Sequence, residues 1–247
     1  MFENVTVHEG ANIGKNVKIG PFSVVYPNVY IKDNVTIGPF CIIGEPSINF
    51  YGGDNHNFAK TIIGENTVIR SHSVIYEDVI IGHEFQSGHR VTIREGTRIG
   101  HNSSLGTLCD LQGNLSIGNF VRLHSNVHVG QMSLIEDYVW IYPYVVLTND
   151  PYPPMNNLKG VTVRKYAQIT TSAIIMPGVE IGKNALIGAG SLVRKNVPEE
   201  RVVIGVPGKD ICSVRDLRDN NNAQIYPWKD HLKDFRGYPW QKKEDYV

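Results

Sequence analysis

The chain has 247 residues, of which 41% are hydrophobic and 19% charged, and its 24 Lys and Arg residues balance its 24 Asp and Glu residues. This composition suits one large globular domain, with or without an appendage, and it provides no basic field that would attract nucleic acid or an anionic membrane. We expect a cytoplasmic protein, because the sequence has no signal peptide, no apolar run of roughly 20 residues and only three cysteines.

An aliphatic residue recurs at every sixth position from Val7 to Val193, with two interruptions. Of the 28 positions in this column, only Ser87 is not aliphatic. Small or β-branched residues predominate two positions earlier, and glycine often stands one position later. A hexapeptide pattern of this kind is typical of a parallel β-helix, in which three short strands and three corners form a coil of about 18 residues. The repeat therefore predicts about nine coils, with the glycines adopting positive φ at the corners.

Two other folds are excluded by the period of the repeat. An amphipathic α-helix would need apolar residues three and four positions apart. A β-sandwich would need turns every 8–12 residues and alternating faces. Period six supplies neither pattern, which leaves the parallel β-helix, so the predicted fold class is all-β.

Two insertions interrupt the repeat, over residues 45–60 and residues 148–160. Loops that interrupt a regular scaffold often carry function, and a tolerated insertion is the alternative. The predicted organisation is a β-helix over 1–200, containing both excursions, followed by a C-terminal coenzyme-binding segment over 201–247.

The C-terminal segment contains a short helical candidate at 210–218. It also contains a tail in which Tyr-Pro-Trp occurs twice, at 226–228 and at 238–240. The number of aromatic residues argues against a disordered tail, and we expect the tail to pack on a neighbouring surface.

Together with IGVPGK at 204–209, the hexads resemble those of the hexapeptide-repeat acyltransferases, and the resemblance covers nearly the whole chain. The segments LHSNVHVG at 123–130 and VWIYPYVVLTNDPYPP at 139–154, with the Tyr-Pro-Trp ending, look like the nucleotide-sugar N-acetyltransferases that modify amino groups of deoxy sugars. The resemblance implies a left-handed β-helix and a homotrimer with its sites in the clefts between neighbouring prisms. It also implies acetyl-CoA as the acyl donor, no metal, and a dTDP- or UDP-linked amino sugar as acceptor, for surface-polysaccharide or glycan precursor synthesis.

The same resemblance implies that coenzyme A lies along the C-terminal coils. Small residues at 188–190 would let the pantetheine arm approach the backbone, and the adenine end would lie near 205–209. Basic side chains, including Arg201, suit the phosphates, although each of them is alternatively an ordinary solvated charge. The candidate coenzyme-binding residues are Gly188, Ala189, Arg194, Lys195, Gly205, Pro207 and Lys209.

The candidate catalytic residues are His124 and Asn126. Amide formation benefits from a general base, and histidine suits that role near neutral pH. Stacking at 18 residues places Gly106 beside His124 and suggests open space there. In the family that the chain resembles, one group uses a histidine base, and another uses an asparagine that orients the amine while the coenzyme's sulfur accepts the proton. Asn126 stands where that asparagine would fall, and the two mechanisms remain open at this point.

Residues near this segment are candidates for substrate binding. Asp150 suits a sugar hydroxyl or an ammonium group, with an Asp-Pro turn as the alternative. The column of His83 and His101 is the second place to look for a base. The candidate substrate-binding residues are His128, Tyr142, Tyr144, Asn149 and Asp150.

Three rival functions are weighed against this interpretation. A carbonic anhydrase of this fold would need paired zinc histidines five positions apart, and no such pair occurs. A sugar O-acetyltransferase and a non-catalytic structural trimer remain as alternatives. The trimer itself is predicted from an expected exposed apolar patch at Val139, Trp140, Tyr142 and Tyr144.

Overall fold

The computed structural model describes residues 3–53, 56–154 and 156–227, including all of their side chains except that of Asn49. The C-terminal part of the aromatic tail, from residue 228 onward, lies outside the described residues. The described chain forms a parallel β-helix with three sheets, named here A, B and C, of ten, nine and eleven strands. Successive strands enter the sheets in the order A, B, C, so the fold predicted from the hexads is confirmed.

Sheet A consists of Thr6–Val7, Val24–Val25, Ile42–Glu45, Val74–Tyr76, Thr92–Ile93, Asp110–Leu111, His128–Val129, Val146–Leu147, Ile174–Ile175 and Leu192–Val193. Sheet B consists of Asn12–Ile13, Val29–Ile31, Thr61–Ile63, Ile80–Ile81, Arg98–Ile99, Ser116–Ile117, Leu134–Ile135, Thr162–Val163 and Glu180–Ile181. Sheet C consists of Lys18–Ile19, Thr36–Ile37, Val68–Ile69, Gln86–Ser87, Ser104–Leu105, Arg122–Leu123, Trp140–Ile141, Gln168–Ile169, Leu186–Ile187, Arg201–Ile204 and Lys209–Ser213. Two short 3₁₀ helices span Ile48–Gly52 and Val214–Asp216.

The aliphatic column forms the core of the prism. From Ile19 to Val193 its members are buried, whereas Val7 in the first coil is 39% exposed. The exception Ser87 is explained by Phe85, two positions earlier, which is fully buried where most coils have a small residue. Because alternate residues of a strand share one face, the large Phe85 and the small Ser87 together fill the same layer of the core.

The glycines after the aliphatic column serve a purpose different from the one predicted. Most have no positive φ, and a Cβ on Gly38 would lie 2.7 Å from the backbone nitrogen of Ser71 in the next coil. The glycines are therefore needed because neighbouring coils approach closely at this point. Positive φ occurs three positions after the column instead, as at Asn16 (φ 56°) and Asn34 (φ 59°), where asparagine tolerates the left-handed region.

The first excursion is anchored on one buried carboxylate. Glu77 accepts hydrogen bonds from the backbone N–H groups of Ser47 (2.8 Å) and Ala59 (2.9 Å), one near each end of the loop. It also lies 2.9 Å from Nε2 of His56. Burial would raise the pKa of the Glu77 carboxyl, but these hydrogen bonds bring it below its usual value. The loop is thus fixed to the prism by an ionised carboxylate.

The C-terminal segment begins as part of the prism. Arg201–Ile204 pairs in parallel with Leu186–Ile187 and antiparallel with Lys209–Ser213, so a hairpin ends sheet C. The predicted helix at 210–218 is wrong over its first part, because the free edge of the sheet offers hydrogen bonds that outweigh local helical preference. Only Val214–Asp216 is helical.

The expected exposed patch is also corrected. Val139 is fully buried in the core, and Trp140 is only 6% exposed. Tyr226 packs against Trp140, and the hydroxyl of Tyr226 lies 3.2 Å from Oε1 of Gln168. The described start of the tail therefore covers sheet C, and among the four patch residues only Tyr144, 60% exposed, is largely open to solvent.

Removing the Glu77 carboxylate should loosen the first excursion. Glu77→Ala leaves two backbone N–H groups without their acceptor, and we expect a loss of about 2–4 kcal/mol in the free energy of opening this loop. Hydrogen exchange at Ser47 and Ala59 measures the effect. Glu65→Ala, which removes an exposed carboxylate from a corner, is the matched control and should leave exchange unchanged. Equal exchange in both variants would contradict the anchoring role.

Candidate active site

A histidine and an aspartate meet on the outer face of sheet A. The parallel register pairs His128 with Asp110 in the preceding coil, and Nδ1 of His128 lies 3.1 Å from Oδ2 of Asp110. The side-chain amide of Gln112 donates a second hydrogen bond, of 2.6 Å, to the same oxygen. The carboxylate is therefore held from two sides, and the imidazole is held by the carboxylate.

The electrostatics keep this carboxylate ionised. The hydrogen bond from His128 lowers the pKa of Asp110, and Gln112 and the charge of Arg94 lower it further against the opposing effect of burial. An ionised Asp110 holds the proton of the imidazole on Nδ1. Nε2 of His128 has no hydrogen-bond partner among the described residues, so it is available to accept a proton. A base oriented by a third group is a recurrent arrangement for general-base catalysis.

Sequence reasoning named His128 but missed Asp110 and Gln112. The signal was present, because both residues stand one coil before the segment that contains His128. Asp110 occupies the same outward position of its strand as His128, 18 residues earlier. The columns at the corners do not contain this pair, because Asp110 and His128 occupy outward positions within strands.

The second excursion begins next to this pair. The strand Val146–Leu147 follows His128–Val129 in sheet A, and the chain leaves the prism after it. A Cβ added to Gly130 would lie 3.0 Å from the side chain of Asn149, which therefore lies directly over Gly130. Asp150 accepts a hydrogen bond of 3.1 Å from the backbone of Tyr152, as in an Asx turn. Asn149 and Asp150 thus start the loop one coil from His128.

His124 lies in a different setting, after the strand Arg122–Leu123 of sheet C. Its half-buried ring stacks on Tyr142 with centroids 4.8 Å apart and an interplanar angle of 8°. A cavity of 180 Å³ adjoins it, lined by Ser104, Leu105, Gly106, Arg122, Leu123, His124 and Ser125. Open space is present beside His124, but the missing Cβ of Gly106 does not create it, because the backbone of Ser125 in the next coil takes up that position. Burial lowers the pKa of His124, and the charge of Arg122 lowers it further, so the ring is neutral at neutral pH.

Asn126 and Tyr144 stand at the corner between sheets C and A. Both have left-handed backbone, with φ of 60° and 63°. The Asn126 side chain makes no hydrogen bond within the described residues, and its conformation alone accounts for an asparagine at this position.

The column of His83 and His101 has a structural role. The rings stack with centroids 3.9 Å apart, and Nδ1 of His101 accepts a hydrogen bond of 3.1 Å from the backbone of His83. Asn119 and Asp137 accept equivalent bonds from the preceding coils, at 2.8 and 2.9 Å. These side chains form a ladder that satisfies backbone donors along one corner.

The candidate coenzyme-binding residues lie at the C-terminal end of the prism. Ala189 is exposed, and a Cβ added to the adjacent Gly190 would meet no atom within 4 Å. The missing Cβ of Gly188 instead makes room for the side chain of Ile204, so packing explains this glycine. Arg201 pairs with Asp210 at 2.7 Å.

The remaining candidates at this end are exposed. Within the described chain no ion pair occupies Arg194, Lys195 or Lys209, whereas Arg201 is occupied. Gly205, with φ of 98°, and Pro207 form an exposed turn beside them. Three unpaired cations near an exposed turn are compatible with a phosphate-bearing ligand.

Two further searches cover only the described ranges. Nowhere in them do three His, Cys, Asp or Glu side chains gather as a metal site would require. In the same ranges, no helix has the length and apolar character needed to cross a bilayer.

The repeat is recognised independently of the geometry. Residues 10–45 match the family described as bacterial transferase hexapeptide (six repeats). The chain carries hexapeptide repeats of this kind in its N-terminal part. Its fold is similar to that of the Arabidopsis UDP-N-acetylglucosamine acyltransferase, with a TM-score of 0.71 and 19% identity over 86% of this chain and 74% of that one. The Francisella novicida UDP-N-acetylglucosamine acyltransferase has a TM-score of 0.63 and 22% identity over 84% and 70%.

The sequence relatives of this chain are proteins of several kinds. The bifunctional protein GlmU of Carboxydothermus hydrogenoformans is 29% identical over 206 residues, which are 83% of this chain and 43% of GlmU. The galactoside O-acetyltransferase of Escherichia coli is 32% identical over 129 residues, which cover 43% of this chain and 61% of that protein. The chain therefore spans less than two thirds of the length of either relative.

The depressed pKa of His124 is open to a direct test. Arg122→Gln removes a positive charge that disfavours the imidazolium, so the pKa of His124 should rise in this variant. NMR titration of a protein selectively labelled at histidine Cε1 measures the change, with His124→Gln used to assign the signal. Arg98→Gln, which removes a cation from sheet B, is the control. An unchanged His124 titration in Arg122→Gln would contradict the assigned cause.

Proposed function

We propose that this protein is an acetyl-CoA-dependent N-acyltransferase that acetylates the amino group of a nucleotide-linked amino sugar. The observation that carries the proposal is the pair of His128 and Asp110, in which a carboxylate orients an imidazole beside a loop that leaves the prism. A general base of this kind promotes acyl transfer to an amine. The acyltransferases of the same fold and the acetyltransferase among the sequence relatives support the reaction class.

The proposed chemistry is direct transfer. The neutral amine attacks the carbonyl carbon of the thioester and forms the C–N bond, while Nε2 of His128 takes one proton from nitrogen. The C–S bond breaks, and the imidazolium returns the proton to the departing thiolate. The products are an amide and a free thiol. Asp110 stabilises the transient imidazolium, in the way that a buried carboxylate supports a histidine base in other acyl-transfer enzymes.

His124 and Asn126 remain part of the proposal in other roles. His124 is the second candidate for the base, because its ring nitrogens have no hydrogen-bond partner among the described residues and a cavity adjoins it. Asn126 is the candidate for orienting the amine if the sulfur takes the proton, since an amide side chain does not titrate. We favour His128 because, of these three residues, it alone has a carboxylate to fix its orientation.

The proposed binding regions follow the same arrangement. We assign the sugar to the surface around Asn149 and Asp150, with Tyr142 and Tyr144 at its edge. We assign the coenzyme to the C-terminal coils, with Ala189 and Gly188 along the arm. Arg194, Lys195 and Lys209 would meet the phosphates near the Gly205–Pro207 turn. The protein would work as a homotrimer, in which a neighbouring prism completes each cleft.

A panel of nucleotide-linked amino sugars with acetyl-CoA tests the function. Thiol release with at least one amino sugar, and none with its hydroxyl counterpart, is the expected result. Release with the hydroxyl sugar instead would identify an O-acetyltransferase, as in the galactoside relative. Failure to bind acetyl-CoA would leave a structural trimer. A sedimentation mass near 27.6 kDa, that of one chain, would contradict the trimer.

Single variants distinguish the candidate bases. His128→Gln should lower kcat by about 10²–10⁴-fold with acetyl-CoA affinity unchanged, because proton transfer is lost and the fold is not. His124→Gln is the matched control, with the same substitution on the same segment, and should retain most activity. The reverse order would move the base to His124. If Asn126→Ala proved more damaging than both, the sulfur would be the proton acceptor.

A further inference from the structure

The two oxygens of Asp110 have different surroundings. Oδ2 accepts the hydrogen bonds of both Gln112 (2.6 Å) and His128 (3.1 Å). Oδ1 has no hydrogen-bond partner among the described residues, and the side chain is 37% exposed. A carboxylate can accept about four hydrogen bonds, so the capacity of Oδ1 is unused among the described residues.

The charges around Oδ1 favour a cation. Arg94 stands one coil earlier, where its charge acts on Asp110, and it is paired with Glu95 at 2.7 Å. Because Arg94 is paired with Glu95, the Asp110 carboxylate next to His128 forms no ion pair with a Lys or Arg side chain among the described residues. Such a carboxylate attracts an ammonium group and disfavours a phosphate.

The geometry points to Oδ1 of Asp110 as the atom that binds the protonated amino group of the acceptor. One carboxylate would then perform two tasks, because Oδ2 orients the base and Oδ1 selects an amine over a hydroxyl group. This inference rests on the proposed function and adds a determinant of specificity to it. Gln112 supports both tasks by holding the carboxylate in one orientation.

The proton balance is simple. The ammonium group binds to Oδ1 and releases one proton to water, which leaves a neutral amine beside Nε2 of His128. That amine forms the C–N bond, and its second proton passes through His128 to the thiolate, as above. The overall reaction converts ammonium and thioester into amide, thiol and one free proton. A hydroxyl group would gain no ion pair with Asp110 and would bind more weakly.

Asp110→Asn tests the inference, because the amide oxygen can still accept from His128 while the charge is lost. The acceptor is the amino sugar that the wild-type protein acetylates fastest, and its hydroxyl counterpart serves as a competitive inhibitor. We expect the KM of the amine to rise by about 10- to 100-fold, the loss of one charge-assisted hydrogen bond, with the inhibition constant of the hydroxyl compound nearly unchanged. Asp78→Asn, which removes a carboxylate that pairs with Arg98 on sheet B, is the matched control.

Each outcome has a distinct meaning. A lower kcat with unchanged KM for the amine would show that Asp110 only orients His128, and would overturn the inference alone. Equal weakening of the amine and the hydroxyl compound would overturn it as well. Absence of any thiol release from the wild-type protein would instead remove the proposed function, and this inference with it. If Asp110→Asn unfolds at the same temperature as the wild-type protein, the effect on KM is local and does not come from a damaged fold.

Discussion

The parallel register of the coils is the constraint on which the rest of the structure depends. Each strand pairs with the strand one coil later, as when Ser104 and Leu105 pair with Arg122 and Leu123, so residues 18 positions apart are stacked. Stacked side chains must therefore suit one another as neighbours. This single rule produces the buried aliphatic column, the polar ladder along the His83 corner, and the contact between His128 and Asp110.

The same rule explains how far the sequence could be interpreted. Period six identified the fold, the two excursions and the end of the regular coils, because burying one residue in every hexad leaves a periodic signal. It gave a wrong reason for the glycines, whose role depends on the approach of the next coil and not on their own φ. The helix predicted at 210–218 failed similarly, because the free edge of sheet C determines the conformation of Lys209–Ser213.

For the candidate site, the family resemblance and the stacking at 18 residues pointed to the segment but not to the partnership within it. His124, Asn126 and His128 all lie on one short stretch, and only the structure distinguishes their surroundings. His124 stacks on Tyr142 beside a cavity, Asn126 turns a corner, and His128 is held by Asp110. Asp110, which distinguishes His128 from the other two residues, stands one coil earlier. The sequence reveals this pair only when residues 18 positions apart are compared at the outward-facing positions of the strands.

We propose that acyl transfer takes place at His128 on sheet A. A crystal structure of the protein with bound coenzyme A tests this most directly, through the position of the thiol sulfur. The account predicts the sulfur within about 5 Å of Nε2 of His128, close enough for an amine between them to contact both. A sulfur seated against His124 in the cavity on sheet C, and remote from His128, would contradict it.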